Sequence, residues 1–183
     1  MRKIPKILGT RTVAQTRLFN IEAMQLQFSN GVEVEYERLQ SSSSGGAVLI
    51  VPMLDEDTFL MIREYSAGVH RYELTLPKGR VEAGEDPLHA ANRELMEEIG
   101  HGARQLQHLT AFTLAPGYLG HTTQVILAQD LYEEKLQGDE PEELEVVPWR
   151  LSELNKLIQC EDCTEARSIA ALFMTREKFL NEQ

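Results

Sequence analysis

Three glutamates, Glu94, Glu97 and Glu98, stand at spacings of three and four within Arg93-Glu94-Leu95-Met96-Glu97-Glu98-Ile99-Gly100. On an α-helix, residues at those spacings lie on one side. Like charges so placed repel by about 0.2–0.5 kcal/mol per pair. A helix that needed only a soluble face could interleave lysines, and this one does not. The arrangement calls for a positive group, and hard carboxylate oxygens suit Mg²⁺ or Mn²⁺.

The elements that must position these carboxylates follow from the flanking pattern. The spacing predicts a helix over 87–99, with Pro87 in its first turn and Gly100 as its stop. Leu88, Ala91, Leu95 and Ile99 give it an apolar stripe that must pack on a sheet. Glu98 lies nearest that stripe and is expected to be the least exposed of the three. Buried strands are predicted at 47–53 and 58–65, and a short one at 72–77 leads into Gly79. After the helix, strands are predicted at 106–114 and 122–130. A short strand at 146–149 should be an edge, because Pro148 cannot donate to a ladder. Helices follow at 152–157 and 164–180, the latter striped by Ile169, Leu172, Phe173, Phe179 and Leu180.

The first forty residues read as β-rich. Thr12-Val13-Ala14 and residues 18–28 alternate apolar and polar side chains, and 32–39 alternate again after Asn30-Gly31, a pair that favours the positive φ of a tight turn. They predict a β-hairpin. Residues 41–46, SSSSGG, have the composition of a flexible linker. Two units are therefore expected: a β-rich segment over 1–44 and a catalytic domain over 45–183.

Composition narrows the partners. The formal net charge of −11 argues against a nucleic-acid polymer or an anionic membrane as partner. It allows a nucleotide substrate, because a bound ion reverses the local sign. No apolar run approaches the roughly 20 residues needed to span a bilayer. The N-terminus is basic without the apolar core of a signal peptide, so a cytoplasmic protein is expected. Cys160 and Cys163 lack two further ligands at zinc spacing, and Glu161 and Asp162 disfavour a thiolate between them. Two ordinary thiols are the reading.

With Gly79 and Glu85 upstream, the run 79–101 resembles the Nudix box, Gly-x5-Glu-x7-Arg-Glu-U-x-Glu-Glu-x-Gly-U, where U is bulky and aliphatic. Gly79, Glu85, Arg93, Glu94, Leu95, Glu97, Glu98 and Gly100 fill it, and His101 departs from the last position. The resemblance implies an α/β Nudix fold, a mixed β-sheet between helices, here with an N-terminal β-hairpin extension. It implies Glu94 and Glu98 as central ligands of Mg²⁺ or Mn²⁺, with Glu97 close by and a backbone carbonyl near Lys78 and Gly79 completing the shell. It pairs Glu85 with Arg93 to orient the loop against the helix. An ordinary surface ion pair is the bland alternative.

Outside the box, the chain resembles the branch of the family that hydrolyses ADP-ribose and other compounds built on ADP, NADH and diadenosine triphosphate among them. Pro116, in Ala115-Pro116-Gly117-Tyr118, sits sixteen residues past Gly100, which marks the ADP-ribose subgroup. A simple turn former is its bland reading. In such relatives a mobile acidic loop supplies a base and a further ligand. Gly138-Asp139-Glu140-Pro141-Glu142-Glu143 matches it, with Glu140 as base, Glu142 on the metal and Glu143 as rival. Acidic loops are more often merely solvated. Arg38, Arg63 and Pro116 are the substrate-binding candidates, Arg38 matching a position that meets adenine across a dimer. Ser66 departs from an arginine common in those relatives.

The resemblance thus implies metal-dependent hydrolysis of a diphosphate with release of AMP, carried out by a homodimer joined through the N-terminal segment. Two rivals stand beside it. A non-catalytic sensor of ADP-ribose or NAD should have lost part of the glutamate set, which is intact. A metal buffer fails to explain Gly79, Arg93 and Gly100 at their spacings.

Overall fold

The computed structural model describes residues 2–40 and 46–181; the linker expected at 41–46 lies outside the described residues except for Gly46. Three strands come first, β1 (Lys6–Gln15), β2 (Asn20–Gln27) and β3 (Glu33–Gln40), forming an antiparallel sheet in that order. The hairpin expected here is β2–β3, turned at Gly31 with φ +85° and closed by Phe28 N–H donating to the Val32 carbonyl at 2.9 Å. The expected two-stranded unit is corrected to three. β1 runs antiparallel along the whole of β2, from Lys6 opposite Gln27 to Gln15 opposite Asn20. Only the alternation at Thr12-Val13-Ala14 marks it in the sequence, because every residue of β1 is exposed and no buried face imposes a longer pattern.

The remaining strands are β4 (Ala47–Pro52), β5 (Thr58–Ser66), β6 (Arg71–Thr75), β7 (Lys78–Arg80), β8 (His101–Thr113), β9 (Thr122–Glu133) and β10 (Glu145–Arg150). They form two further sheets, β7-β4-β9-β8 and β10-β5-β6. β4 and β9 pair in parallel while their neighbours are antiparallel, which makes the sheet mixed. β10 lies at an edge, as Pro148 requires. The helices are α1 (Pro87–Glu98), α2 (Leu154–Leu157), which continues a single 3₁₀ turn, and α3 (Ala166–Asn181).

Strand periodicity sorts the core onto two faces. Val48, Ile50, Ile126 and Ala128 point towards α1, where they meet Ala90, Ala91, Leu95 and Ile99. Leu49, Val51, Val125 and Leu127 point the other way, towards Leu154, Leu157, Ala171 and Leu172 on α2 and α3. The strands are thus sandwiched between helices, and α1 with its carboxylates is pinned to one side. β8 starts at His101, earlier than expected. Gly100, at φ +70°, reverses the chain straight into the sheet, and Asn92 Oδ1 accepts the Ala103 N–H at 2.7 Å. His101 opens the strand with Nδ1 2.9 Å from the Ile99 carbonyl, replacing the aliphatic contact of the motif by a polar one. Both cysteines are free, and burial pushes the Cys163 thiol up to about 11.

Candidate active site

The site is built from the start of α1 inward. Asp86 caps the helix, accepting the N–H groups of Leu88 and His89, and Pro87 takes the first turn. In the preceding loop, Glu85 Oε2 accepts the Glu82 N–H at 2.9 Å. Arg93 then grips Glu85 with both sides of its fork, Nε–Oε1 at 3.1 Å and Nη2–Oε2 at 3.3 Å. The same guanidinium donates to the Arg80 carbonyl at 3.0 Å, to Glu94 at 2.8 Å and to Glu97 at 3.2 Å. One arginine therefore ties loop, helix and β7 together. Its bond to Arg93, opposed by partial burial, holds Glu85 below the ordinary carboxylate range.

Glu98 faces the sheet, where its Oε2 accepts the Lys78 N–H at 2.9 Å. Burial, with Glu94 and Glu64 nearby, pushes its carboxyl up to about 8 despite the field of Lys78. Glu94 is pushed up to about 6 by burial, with Glu97 and Asp139 as like charges and Arg93 opposing. Glu98 is the more deeply set of these two, as its place beside the apolar stripe predicts. Lys78 Nζ bonds the carboxylate of Glu64 on β5 and lies 3.3 Å from Thr75 Oγ1.

Glu94, Glu97 and Glu98 line an open cleft of about 1090 Å³ together with Lys78, Asp139 and Glu140. The acidic loop thus hangs over the helix carboxylates. Burial, Glu64 and Asp139 raise the Glu140 carboxyl above its usual range. Glu142 lines the adjoining part of the cleft and accepts a hydrogen bond from the Tyr72 hydroxyl at 2.7 Å. Glu143 is 81% exposed and bonds Lys135, also largely exposed, at 2.5 Å. It lines the same part of the cleft as Glu142, but its bond to Lys135 holds its carboxyl below the ordinary range.

The donor set fits a hard divalent ion: carboxylates crowded in a partly buried cleft, with Glu94, Glu98 and Glu140 all raised above the ordinary range. Among the described residues, no three acidic, histidine or cysteine side chains are converged as a finished ion cage. Arg93 occupies Glu94 and Glu97, and a backbone N–H occupies Glu98.

Two expected substrate residues meet elsewhere. Arg38 and Pro116 line a small hollow with Phe28, Tyr36 and Tyr118. It is closed by Leu39 N–H donating to the Tyr118 carbonyl at 2.8 Å. Arg38 is held there by Glu22 at 2.7 Å. This hollow and the glutamate cleft share no lining residue among those described. Arg63 joins neither. It pairs with Glu145 at 2.9 Å and with Asp162, and so anchors the start of β10, where the acidic loop ends. The sequence reading missed Glu64, Asp139 and the Lys78 side chain. Glu64 lies opposite Glu73 on β6, a pairing that no local pattern announces.

This combination of mixed sheet, capped helix and arginine-tied glutamates defines a pyrophosphohydrolase class, and the chain belongs to the Nudix hydrolase family. Residues 44–172 match the NUDIX domain. Residues 5–38 match the NudE-type Nudix hydrolase N-terminal domain. The chain is 46% identical to the ADP compounds hydrolase NudE of Escherichia coli (strain K12), over 94% of this chain and 92% of that protein. It is 30% identical to an ADP-ribose pyrophosphatase of Bacillus subtilis (strain 168), over 91% of this chain and 92% of that one. A crystal structure of an ADP compounds hydrolase superposes with a TM-score of 0.91 at 43% identity, covering 100% of this chain and 97% of that one. Nudix hydrolases generally use divalent metal ions. Among the described residues, no helix is long and apolar enough to cross a membrane.

Proposed function

We propose that this chain hydrolyses the diphosphate linkage of ADP-containing compounds (ADP-ribose, NADH and diadenosine triphosphate), releasing AMP. The observation that carries the reading is the single cleft in which the helix carboxylates Glu94, Glu97 and Glu98 face Glu140 of the acidic loop. Its likeness along nearly the whole chain to hydrolases of ADP compounds and ADP-ribose supports the substrate class.

Glu94 and Glu98, with Glu97 and Glu142, hold Mg²⁺ or Mn²⁺ in this reading. Such an ion supplies charge neutralisation on the diphosphate and lowers the pKa of water. Glu140 takes the proton of the attacking water, a role that its raised carboxyl suits. Glu85 and Arg93 keep the box loop against α1. Arg38 and Pro116 receive the adenine end. Arg63, bound to Glu145, supports the substrate side by fixing the end of the acidic loop.

Because the Arg38 hollow and the glutamate cleft share no lining residue, the reading includes a homodimer in which each site draws on both chains. The wholly exposed β1, carrying Ile7, Leu8 and Val13, supplies the surface. The chain divides accordingly into a dimerisation segment over 1–44 and a Nudix domain over 45–183, and works in the cytoplasm.

The test is AMP release from ADP-ribose, NADH and diadenosine triphosphate, each with Mg²⁺, with Mn²⁺ and with EDTA. Metal-dependent AMP from these substrates supports the reading, and the kcat/KM ratios rank them. A folded protein that binds ADP-ribose without turnover would establish the sensor instead.

A further inference from the structure

The β5–β6 hairpin carries an aromatic ladder that the fold does not need for its core. Tyr65 and Tyr72 are cross-strand partners, 44% and 47% exposed. Their rings meet edge to face at 5.8 Å and 68°. His70 meets Tyr65 at 5.9 Å and 88°, with Nδ1 2.6 Å from the Tyr65 hydroxyl. Burial does not explain two exposed tyrosines locked in this way. The ladder does fix the direction of the Tyr72 hydroxyl, and that hydroxyl donates to Glu142.

The segment it reaches has no secondary structure of its own between β9 and β10. Its start is tied to α1 by Leu136 N–H donating to the Met96 carbonyl at 3.0 Å, and its end becomes β10. Lys135 holds Glu143 from the loop's own base, in a pair too exposed to carry much. Tyr72 reaches the loop from β6, which is separated from β10 by β5 in the sheet that the loop enters. The donor chemistry also matters. A lysine or arginine here would neutralise Glu142, whereas a phenol orients the carboxylate and leaves its charge in place.

We propose that Tyr72 is a positioning residue: through Glu142 it sets the pose of residues 138–143 over the glutamate cleft. This rests on the reading that the acidic loop serves hydrolysis. It predicts that the bond acts through Glu142 and through nothing else.

The experiment is a double-mutant cycle in the full chain, using Tyr72→Phe, Glu142→Ala and the pair. ADP-ribose turnover with Mg²⁺ is measured beside Tm and hydrogen exchange of 138–143. Tyr72→Phe should lower kcat by about two- to fivefold, the worth of one solvent-exposed hydrogen bond that holds a loop. KM and Tm should stay close to wild type, and exchange in 138–143 should rise. In the Glu142→Ala background, Tyr72→Phe should have no further effect. An unchanged kcat in Tyr72→Phe, or losses that multiply in the pair, would overturn the proposal while leaving the hydrolase reading intact. A folded wild type that releases no AMP would remove both.

Discussion

The carboxylate of Glu94 lies where a side chain on Gly79 would have to begin. A Cβ at Gly79 would sit 1.9 Å from Glu94 Cδ and about as close to both oxygens. The glycine of the box is therefore a matter of space. β7 brings the backbone up beside α1, and the helix carboxylate rests on it. Because the obstructed group is the end of a flexible side chain, Gly79→Ala should displace Glu94 and leave the fold standing. A misplacement on the order of 1 Å can cost about 10²-fold in rate. The expected outcome is a kcat lower by about that factor, with Tm within a few degrees of wild type. A variant that keeps full activity would show that Glu94 works from another position.

Much of this site could be read from the chain, and the reason is local. Glu94, Glu97 and Glu98 share a helix with its own punctuation in Asp86, Pro87 and Gly100, so their common face follows from periodicity alone. What could not be read depends on strands far apart in sequence. Glu64 reaches Lys78 from β5, and Tyr72 reaches Glu142 across the gap between a hairpin and a loop. No residue in these pairs carries a spacing that marks the other. β1 showed only at Thr12-Val13-Ala14 for the opposite reason: with no face buried, nothing constrained the rest of its pattern.

The two loop glutamates proposed as rivals for the base should separate cleanly. Glu140 lines the cleft and carries a raised carboxyl, whereas Glu143 is exposed and bonded to Lys135. Glu140→Gln should lower kcat by about 10²–10⁴-fold, the range for loss of a positioned base. Glu143→Gln should change kcat by no more than about twofold, as for an exposed ion pair. Steady-state kinetics on ADP-ribose with both variants decides. If Glu143→Gln is the damaging one, the loop closes in a register different from the one seen.

Acid stability has an identifiable source away from the cleft. Glu73 is 3% exposed and accepts from Thr164 N–H at 3.2 Å, Thr164 Oγ1 at 2.8 Å and Arg71. Burial pushes its carboxyl up, but Thr164 and Arg71 together outweigh it and hold the group below the ordinary range. Glu165, at the start of α3, behaves alike through Arg167 and Ser168, again against burial. A carboxyl lowered in the folded state stabilises it above the unfolded pKa, about 4.3 for glutamate. That stability is lost as pH falls from there through the folded pKa. Denaturant unfolding should show a steady loss below about pH 5. Glu73→Gln should cost about 1–2 kcal/mol at pH 7 and flatten that acid slope. An unaltered slope would place the acid sensitivity in other groups.

Arg38 offers the sharpest check on where the adenine end binds. Its guanidinium is held by Glu22 beside Pro116 and Tyr118, in a hollow that shares no lining residue with the glutamate cleft. Arg38→Ala should therefore raise KM by about tenfold, the worth of one charge-assisted hydrogen bond. It should do so similarly for ADP-ribose, NADH and diadenosine triphosphate, because they share the ADP moiety. kcat should hold, since no bond from Arg38 reaches α1 or the acidic loop. The Glu22 pair is partly exposed, so its loss should cost stability less than about 1 kcal/mol. Glu22→Gln is the control, because it removes the partner and keeps the cation; its KM should stay at or below wild type. A KM unchanged in Arg38→Ala would place adenine recognition elsewhere. A fall in kcat without a change in KM would mean that the N-terminal sheet reaches the reacting phosphates themselves.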